Sequence, residues 1–473
     1  MNYESLFKAA RSQTVQAAIT GAGEFGTSFI FQSRRVPGLQ VRAVANRTPE
    51  RAVAAFVHAG VAPGEVRVCT SAGEARKAFD RGRYVVVRDA PLLLDLPLDV
   101  LVEGTGDPGL GARNAEAAIE HGLHVAMVSK EADSVVGPIL CAQAHRKGLV
   151  YTTVEGDQPS LLIGLITWSR VLGMETIAAG KSSEYDFVFD PQTQTVTSRD
   201  KAVFVPDFGD LWRMGDRPAA DVLADRAAQL ASLPQRAVPD LCEMGIVANA
   251  TGLKPDNAHF HAPVARTLEI PDVLCPVENG GILAGTGIVD VVNSLRRPDE
   301  ASLGGGVFVV VACHDAKTWQ VLEAKGHPVS RDGGRAMLYH PAHLLGMEAP
   351  ISVLAAALLH QATGAEALRP VCDLVARATR DLKAGTRLEI RGHHHTIDGT
   401  EGLLVDGFRA GEANPLPYYM LGDAVLRRDV SAGAVITGDA VHLPEHSVLG
   451  RLRAEQDRHF GTGDFNPEAP QGQ

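Results

Sequence analysis

Three glycines near the start of the chain have the spacing of a dinucleotide-binding turn. Gly21, Gly23 and Gly26 form G-x-G-x-x-G between an apolar, strand-like run and an amphipathic run. In this pattern the first glycine permits a tight turn, the second lets the backbone approach a pyrophosphate, and the third lets helix and strand pack closely. We therefore expect NAD or NADP to bind at the N-terminus of the following helix. The residues expected to contact it are Gly21, Ala22, Gly23, Glu24, Phe25 and Gly26.

The end of the next predicted strand, residues 39–47, favours NADP over NAD. NAD enzymes usually place Asp or Glu there to hold the ribose 2′-hydroxyl. This chain has Asn46 and Arg47, with Arg51 close by. An arginine can bind the 2′-phosphate of NADP. The alternative is that Arg47 is a solvated loop residue.

A second glycine-rich turn, Glu103-Gly104-Thr105-Gly106, follows an apolar run that begins at residue 98. A turn at the carboxyl end of a parallel strand lies where ligands bind. We expect this turn either to contact the nicotinamide ribose or to be a plain connection between strand and helix.

Two carboxylates one residue apart, Glu155 and Asp157, could face one point, because Gly156 between them permits a sharp backbone turn. Oxygen ligands of this kind suit Mg²⁺ or Mn²⁺, which act as Lewis acids on hydroxyl and carbonyl oxygens. The alternative is a pair of hydrogen-bonded loop acids without a metal.

A lysine and a glutamate further along the chain are candidate catalytic groups. Lys181 ends an apolar run and precedes two serines. A lysine at a strand end beside a cleft can hold a substrate anion or a developing oxyanion. Glu243 lies between Cys242 and apolar residues, so we expect it to be partly buried and to act as a base or metal ligand. The alternatives are a surface lysine and an ion-paired structural glutamate.

Histidines gather in loops of the middle of the chain without matching a zinc-ligand pattern. We take His340 and His259 as candidate catalytic groups on the substrate side, although a single histidine is more often a hydrogen-bonded structural residue. The run Gly-His-His-His at residues 392–395 is expected to be a turn or surface feature, because adjacent residues of a strand alternate sides.

Alternating strands and helices must position the expected cofactor-binding residues in the first part of the chain. The order strand, glycine turn, helix, strand recurs along residues 1–155 and predicts an α/β fold, a doubly wound Rossmann domain with a parallel sheet. Residues 156–365 mix helices with strand-like runs and predict an α+β catalytic domain.

The tail of the chain has a different character. Residues 366–460 contain no convincing long helix and carry a small internal repeat, 375–388 and 424–437, which predicts a compact β-rich module. Residues 461–473 are expected to be a disordered end.

Composition limits the class of protein. The 473 residues are too many for one core, and 45% hydrophobic with 21% charged residues is ordinary for a globular protein. A net charge of -11 without a dense Lys/Arg tract argues against nucleic acid or a membrane as partner. The polar N-terminus, the lack of a long apolar run and six scattered cysteines predict a cytoplasmic protein with reduced thiols.

The runs GAGEFG, DVLVEGTG, HVAMVSKEAD and VEGDQPS together resemble the homoserine dehydrogenase-like superfamily. The two similar phrases of the tail resemble an SAF domain, a small β-clip module. The fusion of these parts resembles a group of bacterial oxidoreductases that includes the second, non-classical type of 1-deoxy-D-xylulose 5-phosphate reductoisomerase. The resemblance covers nearly the whole chain and does not select a substrate.

The resemblance implies roles and a reaction. It places Lys130 beside the nicotinamide, as a cofactor contact and a catalytic group, and it supports a catalytic role for Lys181. It implies NADPH-dependent hydride transfer, combined with a rearrangement, on a small phosphorylated ketose or a branched polyol. It also implies that the protein forms a homodimer and that its substrate is a small molecule.

Two other functions stay open. One is an NAD(P)-dependent dehydrogenase of a sugar acid, hydroxy acid or semialdehyde, without rearrangement. The other is a non-catalytic nucleotide sensor, which would not need Lys130, Lys181 and the two neighbouring acids together. Metal dependence would separate a rearrangement from plain hydride transfer.

Overall fold

The computed structural model describes residues 2–8, 12–392, 395–444 and 446–465. Its first sheet has seven parallel strands with helices between them. The strands are β1 (Val15–Thr20), β2 (Leu39–Ala45), β3 (Val66–Val68), β4 (Tyr84–Val87), β5 (Val100–Glu103), β6 (His124–Met127) and β7 (Tyr151–Thr153). The helices of this part are α1 (Tyr3–Leu6), α2 (Glu24–Ser33), α3 (Pro49–His58), α4 (Ala72–Asp80), α5 (Pro108–Glu120), α6 (Lys130–Arg146) and α7 (Gln158–Val171).

The strand order of this sheet defines where a ligand binds. The order is β3-β4-β2-β1-β5-β6-β7, so the chain crosses from one side of β1 to the other between β4 and β5. In open parallel sheets, ligands bind beyond the carboxyl ends of the strands at this reversal of direction. The predicted α/β fold with a Rossmann-type parallel sheet is confirmed.

Helix α6 begins at Lys130 and continues through Pro138. A proline inside a helix disturbs neighbouring backbone hydrogen bonds. The Gln456 side chain accepts a hydrogen bond from the Ile139 N–H and donates one to the Val135 carbonyl, each at 3.2 Å. Because both backbone groups keep a partner, the helix extends back to Lys130.

The second sheet is mixed, and its longest strand pairs with three neighbours. The strands are β8 (Thr176–Asp190), β9 (Thr195–Ser198), β10 (Lys201–Phe204), β11 (Val264–Ala265), β12 (Ile288–Arg296), β13 (Val307–Ala312) and β14 (Arg335–His340). The helices are α8 (Ala219–Gln229), α9 (Val238–Thr251), α10 (Ile270–Val273), α11 (Ala316–Glu323) and α12 (Ala349–Leu354). β8 is parallel to β12 and antiparallel to β13 and β9.

Lys181 lies inside β8, so the prediction that it ends a strand is wrong. The polar residues after Lys181 continue the strand as far as Asp190, because β12 and β9 pair with them. The Lys181 side chain is 1% exposed, which also excludes a surface lysine. A buried ammonium needs carboxylate partners, and α9 provides them.

The tail has three two-stranded pairs, β15 with β18, β16 with β17 and β19 with β20. Their bounds are β15 (Cys372–Ala378), β16 (Ile390–Arg391), β17 (Thr396–Ile397), β18 (Thr400–Asp406), β19 (Val425–Leu426) and β20 (Val441–His442). The tail is therefore rich in short strands, as predicted. Its identity as an SAF domain stays a prediction.

The two repeated segments of the tail, 375–388 and 424–437, contact each other about an approximate twofold axis. The aspartate of each segment accepts a hydrogen bond from a backbone N–H of the other: Asp381 from Ala432 and Asp429 from Ala384, both at 2.9 Å. The apolar residues that follow the aspartates exchange both of their backbone hydrogen bonds. The internal repeat thus encodes one symmetric contact.

A last helix, α13 (Val448–Phe460), corrects the prediction that residues 366–460 lack a long helix. Its sequence is mostly polar and gave no clear apolar stripe, because one of its buried side chains is an arginine. Arg453 donates to Asp373 at 2.5 and 2.7 Å and to Asp457 at 2.9 Å. We call Arg453, Asp373 and Asp457 the arginine cluster.

Side chains from all three predicted ranges meet in one hydrophobic core, which contains Leu140, Met244 and Leu452. The sheets fall in separate parts of the chain, whereas the core does not divide along them. The domain boundaries at residues 155 and 365 therefore stay predictions.

The end of the chain is only partly described. Of the predicted disordered residues 461–473, residues 466–473 lie outside the described part. Phe465 packs against Phe408 with ring centroids 5.6 Å apart, so the segment before residue 466 contacts the tail. Within the described ranges, every helix is too short or too polar to cross a bilayer.

Candidate active site

The glycine turn between β1 and α2 leaves room for a pyrophosphate. Gly21 has a φ of +90°, and a Cβ there would lie 2.1 Å from the Gly104 carbonyl oxygen. A Cβ on Gly26 would lie 2.3 Å from the Gly21 carbonyl oxygen. A Cβ on Gly23 would meet no atom within 4 Å. The first and third glycines are thus fixed by backbone contacts, and the second opens onto the N-terminus of α2, where phosphates bind.

The first residue of the second turn is a buried carboxylate that holds the turn, a role that the sequence did not predict. Glu103 at the end of β5 is fully buried. It accepts hydrogen bonds from the Thr105 N–H at 2.9 Å, the Asn114 amide at 2.9 Å and the Ser129 hydroxyl at 3.1 Å. The Ser129 oxygen in turn accepts from the Gly106 N–H at 2.9 Å. The signal for this role is a single acid that ends an apolar strand.

The end of β2 faces the same cleft. Asn46 accepts a hydrogen bond from the Ala22 N–H at 3.0 Å, so it supports the first glycine turn. The cleft beside it is a cavity of about 500 Å³. The four arginines that line it are Arg47, Arg51, Arg88 and Arg113. Several guanidinium groups around a polar cavity suit a phosphate group.

The tail forms the opposite wall of the nucleotide cleft. A cavity of about 1120 Å³ extends from the glycine turns to His395 and other tail residues. His395 Nδ1 lies 2.5 Å from Glu131 Oε1, and this contact raises the pKa of the imidazole. Residues 392 and 395 lie in turns, as expected, and His395 in addition contacts Glu131. The other two histidines of the run, His393 and His394, lie outside the described residues.

Four elements bring two lysines and three carboxylates together. Lys130 begins α6, Asp157 precedes α7, Lys181 lies in β8, and α9 carries Asp240 and Glu243. Lys130 Nζ lies 3.4 Å from Asp157 Oδ1 and donates to Glu243 Oε1. Lys181 Nζ lies 2.8 Å from Asp240 Oδ1 and donates to Glu243 Oε2. Each oxygen of Glu243 thus holds one lysine, and we call these five residues the lysine cluster.

The charges of the lysine cluster stabilise one another against burial. Burial alone would raise the pKa of Glu243, but Lys130 and Lys181 outweigh it and hold that pKa at about 2. Burial would lower the pKa of both lysines, and the surrounding carboxylates outweigh it, so both values lie above the ordinary one. Burial raises the pKa of Asp240. Asp240 therefore takes up a proton more readily than Glu243.

The lysine cluster has one open end. The Lys130 side chain is 29% exposed, whereas those of Lys181 and Glu243 are almost fully buried. Lys130 follows Ser129, which is bonded to the second glycine turn, so the open end lies beside the nucleotide cleft. At the other end Asp240 lines a separate cavity of about 250 Å³. The buried end of the cluster therefore borders this second cavity.

The two predicted metal ligands have different partners. Asp157 faces Lys130, whereas Glu155 lies near Glu348, and burial and the Glu348 charge raise the pKa of Glu155 to about 7. Gly156 between them has a φ of +92°, as a sharp turn requires. The contacts of the pair therefore give no support to a shared metal ion. Its role as a metal site stays a prediction.

The predicted histidines lie near the lysine cluster and outside its hydrogen bonds. His340 ends β14 and is in register with Val307 of β13, which is in register with Lys181 of β8. His340 and Lys181 are therefore two strands apart, or roughly 10 Å. His259 lines the cavity of about 250 Å³. Burial and Arg377, whose guanidinium lies 2.6 Å from its Nε2, lower the pKa of His259.

A family comparison identifies the class of enzyme. Residues 236–349 match the family model described as oxidoreductase DRL, catalytic domain. This range contains α9 with Asp240 and Glu243, and it ends at the start of α12. The predicted class of oxidoreductase is confirmed by this match. No curated protein matches the sequence of this chain.

Solved structures share parts of the fold at low identity. KijD10, a 3-ketoreductase from Actinomadura kijaniata in complex with NADP, is 17% identical over 39% of this chain and 51% of its own, with a TM-score of 0.25. The WlbA dehydrogenase from Bordetella pertussis, in complex with NADH and UDP-GlcNAcA, is 14% identical over 38% of this chain and 48% of its own, with a TM-score of 0.27. Both alignments span about half of the other protein's length.

A third solved structure aligns over more of the chain. DOX-P reductoisomerase with fosmidomycin and magnesium is 12% identical over 72% of this chain and 69% of its own, with a TM-score of 0.36. The homoserine dehydrogenase-like resemblance stays a prediction.

Proposed function

We propose that this oxidoreductase uses NADPH to reduce the carbonyl group of a small phosphorylated ketose or a related branched polyol precursor. One observation carries the proposal: the lysine cluster opens through Lys130 beside the glycine-lined cleft. Lys130 is the residue after Ser129, which is bonded to the second glycine turn. A cationic donor next to a dinucleotide cleft is what carbonyl reduction requires.

The cleft fits a nicotinamide dinucleotide. The open space at Gly23 in front of the α2 N-terminus accepts a pyrophosphate. The ring of arginines that includes Arg47 favours the 2′-phosphate of NADP over the hydroxyl of NAD. A bound NADPH supplies the hydride for the reduction.

The lysine cluster can supply the proton that completes the reduction. Lys130 donates a hydrogen bond to the carbonyl oxygen of the substrate and then gives that oxygen a proton. Glu243 bridges Lys130 and Lys181, and Lys181 contacts Asp240, so a proton can return to Lys130 along this row. Asp240 completes the path because it lines the second cavity. Lys130 is thus reprotonated without contact between solvent and the reacting carbon.

Basic side chains lie at the wall of the second cavity. Arg236 lines the cavity of about 250 Å³, and Arg377 contacts its wall through His259. A phosphorylated ketose such as 1-deoxy-D-xylulose 5-phosphate offers its carbonyl oxygen to Lys130, and the family resemblance of the sequence favours this substrate class.

One observation favours the alternative, a dehydrogenase that reduces or oxidises without rearrangement. An α-ketol or retro-aldol step benefits from a metal that chelates neighbouring oxygens. Glu155 and Asp157, the predicted ligands, face Glu348 and Lys130 respectively. We therefore derive no step through a metal at that pair. Homodimer formation stays a prediction under both proposals.

The test is a substrate screen that follows NADPH oxidation. Phosphorylated ketoses, branched polyols and sugar acids are offered with NADPH or NADP⁺, with and without Mg²⁺ or Mn²⁺. We expect turnover of a phosphorylated ketose with NADPH that is lost in Lys130→Met. Lys147→Met, which removes an exposed lysine at the end of the same helix, is the matched control and keeps full activity.

The outcomes of the screen separate the proposals. Turnover that needs no divalent metal, with an unrearranged product, supports the plain dehydrogenase. NADPH oxidation that is no faster than in the protein-free control, for every substrate class, refutes both proposed functions. Equal activity in Lys130→Met and the wild type refutes the role of the lysine cluster.

A further inference from the structure

Three potential metal ligands meet at the edge of the second sheet, outside the lysine cluster. Among the described residues, Asp256, His261 and Asp290 each offer one ligand atom, and these atoms lie within 4.8 Å of one another. His261 Nδ1 lies 2.7 Å from Asp290 Oδ2 and 3.4 Å from Asp256 Oδ1. Asp290 is in register with Gly180. Successive residues of a strand point to opposite faces, so Asp290 leaves the sheet on the face opposite Lys181.

Asp256 gives an independent indication of a ligand. Its side chain is only 9% exposed, and its Oδ1 has no hydrogen-bond donor. Its Oδ2 accepts the Ala284 N–H at 2.7 Å, which fixes the carboxylate with Oδ1 turned towards His261. A buried carboxylate oxygen without a donor is costly. A coordinated cation would remove that cost.

The backbone holds the other two ligands in place. Asp290 Oδ1 accepts from the N–H groups of Ala262 at 3.1 Å and Val291 at 2.8 Å, and its Oδ2 accepts from that of His261 at 3.1 Å. Phe260 and Ala262, on either side of His261, have φ values of +59° and +46°. Hydrogen bonds that orient ligating side chains are typical of metal sites. The loop is thus held in an uncommon conformation that presents the imidazole.

We propose that Asp256, His261 and Asp290 bind one divalent first-row transition-metal ion, with Zn²⁺ as the best match. Zn²⁺ takes imidazole nitrogen and carboxylate oxygen at about 2.0–2.2 Å, which places tetrahedral ligands about 3.3 Å apart. The contact of His261 with Asp256 already fits, and the contact with Asp290 must open by about 0.6 Å. The ion replaces the Nδ1 proton of His261, which is released to solvent. Mg²⁺ prefers all-oxygen ligands and binds more weakly.

The position of the site suggests what the ion does. It would tie the loop of residues 256–262 to β12. His259 and Phe260 on that loop line the cavity beside Asp240. The ion would therefore stabilise one wall of the second cavity without touching the lysine cluster. This role is separate from the proposed reaction and does not depend on it.

The experiment measures Zn²⁺ binding to the metal-stripped full chain by equilibrium dialysis, with no dinucleotide present. We expect about one Zn²⁺ per chain at low micromolar free metal, and a higher Tm in its presence. Co²⁺ in the same site would show the visible absorption of a tetrahedral centre. Asp256→Asn and His261→Gln should each weaken Zn²⁺ binding by about tenfold or more.

Controls distinguish this site from other histidines and acids. His314→Gln removes an exposed histidine that lies 3.6 Å from Glu175, and it should leave Zn²⁺ binding unchanged. Glu155→Gln should also leave it unchanged. Circular dichroism and the Tm without metal show whether Asp256→Asn and His261→Gln fold.

Two outcomes would overturn the proposal. One is uptake below about a tenth of a Zn²⁺ per chain at micromolar free metal. The other is uptake that folded Asp256→Asn and His261→Gln both retain. Because no dinucleotide or substrate is present, either failure leaves the proposed reaction untouched, and failure of the substrate screen leaves this result untouched.

Discussion

The lysine cluster and the arginine cluster both bury carboxylates against cations, and they differ in what the cations can do. The side chain of Arg453 is 1% exposed and donates to two carboxylates and to the Phe408 carbonyl. Lys130 is 29% exposed and follows Ser129, which is bonded to the second glycine turn. The first arrangement is closed to solvent, and the second contains a partly exposed cation.

The chemistry of the two cations explains the difference. A guanidinium does not lose its proton in proteins and binds carboxylates through a fixed fork, so Arg453 fastens α13 to β15. An ammonium is a compact donor that can exchange a proton with a neighbouring acid. Glu243 between two lysines therefore links groups that move protons, whereas Asp373 links two elements of the fold.

The largest expected effect comes from Lys181→Arg, which keeps the charge and removes the proton exchange. We expect kcat to fall by about 10³-fold with little change in KM, because Lys130 can no longer be reprotonated. The Tm should change much less than activity does. Steady-state kinetics on the substrate found in the screen, with thermal unfolding in parallel, check this result. A kcat within threefold of wild type would show that Lys181 only packs.

The reciprocal change, Arg453→Lys, should affect stability. It keeps one charge and loses the fork to Asp373 and Asp457, so we expect a loss of about 3 kcal/mol in the free energy of unfolding. Activity per folded molecule should be unchanged. Urea denaturation followed by circular dichroism measures the loss. A large fall in kcat with normal stability would contradict the division between the two clusters.

Asp133 shows what a buried carboxylate does without a cation. Burial raises its pKa to about 7 despite a hydrogen bond from Tyr151 at 2.7 Å. Because the folded pKa lies above the unfolded value of 3.8, its contribution to stability is complete below about pH 4 and declines up to about pH 7. Asp133→Asn should therefore gain about 2 kcal/mol relative to wild type between pH 5 and pH 7.

Denaturation of both proteins at several pH values tests the Asp133 prediction. The stability difference between Asp133→Asn and wild type should grow with pH. Glu243 provides the contrast, because its pKa is held at about 2 and its ionised form is the stable one above that pH. A stability difference that stays flat from pH 5 to pH 7 would mean that Asp133 is ionised in the folded protein.

The smallest expected effect concerns a charge outside both clusters. Arg47 lines the nucleotide cleft and is exposed. Arg47→Ala should raise the Kd for NADPH by about tenfold and leave that for NADH unchanged, because only NADPH has the 2′-phosphate. Fluorescence titration of both dinucleotides measures the ratio. An equal change for both would indicate a general effect on the cleft.

The sequence predicted features that depend on local spacing. The G-x-G-x-x-G turn and the parallel sheet follow from residues adjacent in the chain, and the burial of Glu243 follows from its apolar neighbours. The sequence did not predict that Lys181 lies inside a strand, because β12 and β9, which are distant in sequence, extend β8 past it. Helix α13 was missed because its buried Arg453 is satisfied by Asp373, a pairing that no periodicity reveals.

The site was predicted in part for the same reason. Lys130 and Glu243 were each named, but their contact spans two elements far apart in the chain. The roles of Glu103 and Asp240 were not predicted, since they depend on partners at Ser129 and in β8. The contact of His395 with Glu131 was not predicted, because Glu131 belongs to another part of the chain.

The central claim is that the cleft at Gly23 binds NADPH beside the lysine cluster. Titration of NADPH by fluorescence on wild type, Gly23→Val and Gly73→Val tests it most directly. A Cβ at either glycine meets no atom within 4 Å, so both variants should fold, and Gly73 in α4 lies away from the cleft. We predict micromolar binding to wild type and Gly73→Val, and a loss of about a hundredfold or more in Gly23→Val. Equal binding to all three proteins, or none to wild type at millimolar NADPH, would contradict the account.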